Sequence, residues 1–349
     1  MIRRIIIISL IMTAAAWQSS RLGRIRRRRM PEVYQGYSAD VPPALNFVMA
    51  GLGGFRGIVS EILWFRVNRL QEEGRYVELV QLSEWITMLE PHAAEAWVYN
   101  AWNMAYNISV MMVRPEDRLR WVKNGISLLR DDGLRYNPKS AKLFRELAWL
   151  YQNKIGMNLD SAHMTYKFDL LASMQPILDE KGTFIDTPEN RSKLNQMKLD
   201  LSLMKNLEKR FGALDWRLAN VHALYWADRG LRYAAGNQKI LCRRAVYQPL
   251  MLLTFNGKFT GDPEKKTWKT SPCPSLALPA AEYLKKTLQQ FPSKNMRIVY
   301  YHFMPRVIKL LDKSGEYIKA EKLYADFKAA LPADITHPSY EDVLNMKTD

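Results

Sequence analysis

Cysteine is nearly absent: Cys242 and Cys273 are the only two in 349 residues. That excludes a disulfide-built scaffold and a cysteine-based zinc site, and leaves a bridge between these two as the sole disulfide option. Histidine is scarce as well. His92, His163, His222, His302 and His337 stand apart from one another, with no His-Glu-x-x-His pair to hold zinc on one helix face. Neither the Gly-x-Ser-x-Gly elbow of a hydrolase nor a Gly-x-x-x-x-Gly-Lys-Ser/Thr phosphate loop occurs. Acidic side chains are outnumbered, 35 against 51 lysines and arginines, for a net charge of +16. The imbalance is uneven along the chain. Eight arginines between Arg3 and Arg29 carry half of it, and no acid precedes Glu32.

What is present is enough apolar material to fold. Hydrophobic residues make up 48% and aromatics 11% of the chain, which excludes intrinsic disorder over most of its length. By size it holds two domains or one extended repeat array.

The first thirty residues read as a membrane address. Arg3-Arg4 precede thirteen apolar or small residues, Ile5 to Trp17, followed by Arg21, Arg24 and the run Arg26, Arg27, Arg28, Arg29. As a helix the apolar run is roughly 20 Å long against a hydrocarbon core of about 30 Å, short for a span and right for a signal-peptide core. Ala14-Ala15-Ala16 supplies small residues for cleavage, whereas the arginine cluster resists translocation and stays on the cytoplasmic side. Three fates fit: a retained short anchor with the body facing the cytoplasm, a cleaved signal with an exported body, or an interfacial helix. All three bring the chain to a membrane, and the polybasic flank favours anionic lipid. A nucleic-acid reading of the arginines is weaker, because the run adjoins an apolar segment and lacks interleaved aromatics. A second apolar, glycine-containing stretch, Val41 to Phe55, reads as a connector packed on the membrane or on the first repeat. Its Gly51-x-Gly53 has Arg56 where a dinucleotide fingerprint needs its third glycine.

From Ser60 onward the pattern is helical, and one spacing recurs. Gly74 and Pro91 are seventeen residues apart, as are Gly315 and Pro332, with Tyr76 and Tyr317 two residues after the glycine. Apolar or small residues follow at helical spacing: Leu79, Leu82, Ile86 in one, Ala320, Leu323, Tyr324, Phe327 in the other. This reads as helix, glycine turn, helix, proline stop. At these residues the chain resembles the tetratricopeptide repeat, a 34-residue helix–turn–helix unit patterned by Trp, Leu, Gly, Tyr, Ala, Phe and Pro. Residues 60–93 fit one unit. A second opens at Ala94-Glu95-Ala96-Trp97 and closes at Gly133 to Pro138, with its surplus length expected as a loop near Ser109–Glu116. A third opens at Ala141, with Leu147-Ala148 and Tyr151.

The resemblance implies an all-α fold of stacked helix pairs, an α-solenoid. The expected organisation is an N-terminal signal or anchor (1–30), a connector (31–59), repeats over 60–180, a long helix with a further helix pair (181–246), an irregular hairpin-bearing insertion (247–280) and C-terminal helices (281–349). Within this, Pro188–Phe211 is expected as one helix, and Asn256-Gly257 as a hairpin turn that marks the boundary between the array and the C-terminal piece.

Catalytic, cofactor and metal residues do not emerge from this pattern. The resemblance instead implies a concave surface for another protein, lined by the first helix of each pair. Its positions correspond to Trp64, Asn68 and Gln71, to Val98, Trp102 and Tyr106, and to Arg145, Trp149 and Gln152, with Asn103 nominated beside them. Asn103 and Asn107, four apart, suit hydrogen bonding to an extended peptide. Some family members grip a terminal carboxylate, and here only Asn68 and Lys142 match that set. Trp64, Tyr99 and Glu146 stand where a lysine, an asparagine and an arginine belong, so the groove suits an apolar segment better. The expected role is a membrane-attached scaffold that binds another protein at the cell envelope. The alternative is an all-α enzyme acting on envelope polymers, with tryptophans stacking on sugars.

Overall fold

A computed structural model of the protein describes residues 56–331 and 338–346, and they are mostly helical. The expected N-terminal anchor, with Arg21, Arg24 and Arg26 to Arg29, and the connector as far as Phe55 lie outside the described residues. No helix among those described is long and apolar enough to cross a membrane. Close contacts divide the chain into two compact units, 1–138 and 139–349.

In the first unit, α1 (Arg56–Glu72) and α2 (Tyr76–Leu89) pack against each other across a tight turn. Gly74 adopts φ +70°, a left-handed conformation that glycine enters without strain, and the Arg75 amide reaches back to the Leu70 carbonyl at 2.9 Å. α2 buries Leu79, Val80 and Ile86 against Val67 and Leu70 of α1 and Met104 and Ile108 further on. Pro91 ends the pair, and its carbonyl accepts from both Trp97 Nε1 (2.9 Å) and Asn137 Nδ2 (2.8 Å). Trp97 in turn stacks on Tyr136, nearly parallel at 5.9 Å. These contacts tie Trp97 to Tyr136 and Asn137, some forty residues further on.

The segment expected as a second repeat, from Ala94 to about Ser140, departs from expectation in an informative way. Of the loop expected near Ser109–Glu116 only residues 112–114 are non-helical. The rest of the surplus lengthens the helices, and each helix contains a segment wound with i→i+5 bonds. α3 runs as Ala94–Trp102, then a π-helical turn Asn103–Ile108, then Ser109–Met111. α4 runs as Pro115–Ser127, a π-helical turn Leu128–Gly133, then Leu134–Tyr136. Such π-helical turns are rare and concentrate at functional sites.

The second unit opens with α5, Ala141–Trp149 continued by a third π-helical turn, Leu150–Ile155. A buried polar cluster follows. Lys154, 2% exposed, pairs with Asp160 at 2.6 Å, and the Tyr166 hydroxyl donates to the same carboxylate at 3.1 Å. Burial opposes the charged form of Asp160, but Lys154, the Ala162 amide and Tyr166 together hold its carboxyl below the usual range. After α6 (His163–Met174), the single helix expected over 188–211 is two: α7 (Pro188–Gln196) and α8 (Leu201–Phe211). Lys198 between them takes φ +59°, and Asp200 caps α8 by accepting from the Ser202 and Leu203 amides at 2.8 and 3.2 Å. Leu194, Met197, Leu201, Met204 and Phe211 carry an a/d-like apolar spacing across this break, but the cap residue Asp200 beneath it starts a new helix.

At the centre of the unit lies α9 (Ala219–Leu231), buried on every face from Val221 to Asp228 and packed against α5 and α10 (Gln238–Asn256). Its His222 sits between Tyr151, stacked at 5.2 Å, and Trp216, edge-on at 5.8 Å. The nitrogen facing the Trp216 carbonyl, Nε2 at 3.0 Å, is assigned as the donor, and Nδ1 meets no polar partner. Burial lowers its pKa to about 4, so the folded protein keeps the imidazole neutral where an unfolded chain protonates near 6.5. The unfolded state therefore binds the extra proton between those values, and stability falls as pH drops from about 6.5 to 4, by roughly 3 kcal/mol. Urea midpoints of the wild type and His222→Leu, compared at pH 7.5 and 4.5, test this. The wild type loses its advantage at the lower pH, and a pH-independent difference between the two proteins refutes the assignment.

The expected Asn256-Gly257 hairpin turn is instead the end of α10. A side chain at Gly257 would lie 2.1 Å from the Leu253 carbonyl and 2.8 Å from Cys273, so only glycine lets the chain leave the helix here. The ribbon that follows pairs β1 (Lys258–Phe259) with β2 (Thr270–Ser271), antiparallel, with Phe259 opposite Thr270. It is held by Asp215, which is buried. Its carboxylate takes two bonds from Arg217, at 2.7 and 2.8 Å, and accepts the Phe259 amide at 2.8 Å. The insertion thus belongs to the second unit and does not separate two bodies. Cys242 and Cys273 are both buried free thiols, which closes the disulfide question left open by their spacing.

The chain finishes with α11 (Ala277–Gln290), α12 (Lys294–Lys313), α13 (Tyr317–Ala330) and α14 (Tyr340–Asn345). The α12–α13 turn repeats the α1–α2 turn: Gly315 has φ +76°, and the Glu316 amide bonds the Leu311 carbonyl at 2.9 Å.

Candidate interaction surface

The residues nominated from sequence separate into exposed, half-buried and buried groups. In the first unit Trp64 is half-buried, with its ring edge-on to Tyr99 at 5.2 Å and its base on the core. Asn68 and Gln71 are exposed, and Gln71 accepts from the Tyr99 hydroxyl at 2.5 Å, which links α1 to α3. Trp102 is 39% exposed and leans on half-buried Tyr106 at 4.4 Å. Tyr99, Trp102 and Tyr106 share one side of α3, so Trp64, Tyr99, Trp102 and Tyr106 make an aromatic surface edged by two carboxamides.

Asn103 requires correction. It is 3% exposed, its Nδ2 donates to the Tyr99 carbonyl at 2.9 Å, and its Oδ1 accepts from Asn107 Nδ2 at 2.6 Å. The two asparagines satisfy each other and the helix; they do not wait for a peptide backbone.

In the second unit Trp149 is 38% exposed. Arg145 is engaged, its guanidinium bonded to Gln238 at 2.7 Å and Glu146 at 2.9 Å. Gln152 is buried, so it too is withdrawn from the surface. Asn103 directly follows Trp102, one helical step of about 100° round, and so turns to the core, whereas Gln152 falls inside a π-helical turn, where i→i+5 winding shifts side chains from the positions a regular helix assigns them.

A feature that sequence reasoning missed links the two helices. Ala94, Ala101 and Trp102 of α3 are matched 47 residues later by Ala141, Ala148 and Trp149 of α5. In each, a buried alanine precedes a half-exposed tryptophan, and the π-helical turn starts at the next residue. The Ala-Trp pair at a constant step of 47 was the available signal. Trp102 and Trp149 thus occupy equivalent positions in the local geometry, each partly exposed on its own unit.

Among the described residues no three or more histidines, cysteines, aspartates or glutamates gather as a metal site. Compared with protein-family models, curated proteins and solved structures, the chain matches none.

Proposed function

We propose that this chain is a membrane-attached, tetratricopeptide-type scaffold whose aromatic surfaces bind an apolar segment of another protein. The observation that carries the proposal is the surface on α1 and α3. Trp102 stands out from the helix on Tyr106, beside Tyr99 and Trp64, with exposed amides at Asn68 and Gln71. Tryptophan and tyrosine supply large contact area at small entropic cost and dominate interface energetics. The matched glycine turns at Gly74 and Gly315 support the repeat reading, and stacking of such pairs into a solenoid belongs to the same proposal. Attachment rests on the apolar run Ile5–Trp17 and the arginines after it, with the body on the cytoplasmic side.

The test purifies the full-length protein from membranes beside Trp102→Ala/Asn68→Ala. Both side chains are exposed enough for the fold to survive, so thermal melting stays within a few degrees. A specific partner is expected to co-purify with the wild type and to drop at least tenfold with the variant. Unchanged recovery of that partner removes the aromatic surface from the function.

A further inference from the structure

The second unit holds a cluster of arginines that the scaffold reading does not use and that stands independently of it. Arg210 near the end of α8 and Arg232 just past α9 share a single buried carboxylate, Asp228 of α9, at 2.7 and 3.8 Å. Arg243 of α10 has no carboxylate partner among the described residues. Its guanidinium lies over the ring of Tyr283 on α11 at 5.6 Å and donates from Nη1 to the Thr287 hydroxyl at 3.2 Å, while its Nε is buried and unbonded. Thr287 spends its own proton on the Tyr283 carbonyl, at 2.8 Å. The Tyr283 hydroxyl is likewise buried and unbonded, and it feels the charges of Arg243, Asp228 and Arg210. Burial pushes this phenol up, so it remains an O–H donor.

Three guanidinium charges therefore meet one carboxylate, and the two groups without partners are both donors. Buried donors are seldom left unmatched, and an unmatched one is costly. A cation worsens the imbalance and a neutral ligand leaves it. A carboxylate brings one charge, whereas a phosphate dianion brings two, with tetrahedral oxygens for several donors and the edge that an arginine fork matches. Arg210 and Arg232 are exposed, so the cluster is open to solvent on their side. We infer that the arginine cluster of α8 to α11 binds a phosphoryl group, free or esterified, with Arg243 and Tyr283 as its inner donors and Arg210 at its mouth.

The test titrates inorganic phosphate into the full-length protein in nonionic detergent by calorimetry, at constant ionic strength. Saturable binding of one phosphate per chain is expected, with acetate weaker by at least about tenfold. Tyr283→Phe removes only the hydroxyl; it weakens binding about tenfold yet melts no lower than the wild type without phosphate, because the lost group has no partner to strand. Arg243→Met weakens binding more, and saturating phosphate raises the melting temperature of the wild type but not of this variant. Glycerol 3-phosphate separates the sources: tighter binding than inorganic phosphate supports an esterified group, weaker binding the free anion. No saturable binding, acetate binding as tightly as phosphate, or undiminished affinity in Tyr283→Phe overturns the inference.

Discussion

Replacing Asp215 by alanine is expected to lower the stability of the second unit by about 3–5 kcal/mol. The carboxylate is 4% exposed and performs three tasks at once. It neutralises Arg217 through a two-point contact, accepts the Phe259 amide at the start of the ribbon, and accepts the Arg217 amide at 3.2 Å in its own turn. Alanine removes all three acceptors and leaves a guanidinium with 15% side-chain exposure beside an apolar surround. Removing one member of a buried pair costs far more than the pair itself contributes, because the surviving charge has lost both water and partner. Asp215→Asn keeps the shape and the bond to Phe259 but not the charge, and is expected to fall about midway. Denaturant unfolding followed by tryptophan fluorescence measures both. An alanine variant within about 1 kcal/mol of wild type shows that water replaces the carboxylate and that the node is not structural.

The second large effect is expected at Asp160. Asp160→Ala withdraws the carboxylate from Lys154 and the acceptor from Tyr166, at a cost of about 3 kcal/mol. The double variant Lys154→Met/Asp160→Ala removes the charge together with its partner and is expected to recover most of that loss, since methionine fills a similar volume. The cycle has a definite sign: the double variant is more stable than the single one. If the two substitutions simply add, the ion pair carries no coupling and the destabilisation comes from packing alone.

The sequence made the turns legible and the helix interiors less so. Gly74 and Gly315 were readable because a left-handed turn leaves a residue type behind, and both sit at positive φ with the same backbone bond. Asn256-Gly257 carried the same kind of signal with a different cause: glycine is needed there for lack of space beside Leu253 and Cys273, not to reverse a hairpin. The break between α7 and α8 was masked by apolar spacing, although Asp200 was a visible cap. Trp64 and Trp102 were readable because they lie in regular α-helix, and Tyr106 stays beside Trp102 although it lies inside the π-helical turn. Asn103 was misplaced because it is one helical step from Trp102 and turns to the core, and Gln152 because i→i+5 winding begins at Leu150 and has no compositional mark strong enough to read in advance. Asp215 was invisible because Phe259, the ribbon residue whose amide it accepts, lies 44 residues further on.

The two cysteines have a use that their lack of a bridge creates. Cys242 is 1% and Cys273 3% exposed, and burial pushes the Cys242 thiol up, away from the reactive thiolate. A cysteine placed on the surface, in the aromatic face for example, is then the only thiol a water-borne reagent meets. The wild-type background serves directly for single-site spin labels, depth-sensitive dyes and paired probes, with no prior removal of native cysteines and no disturbance of the core that holds them.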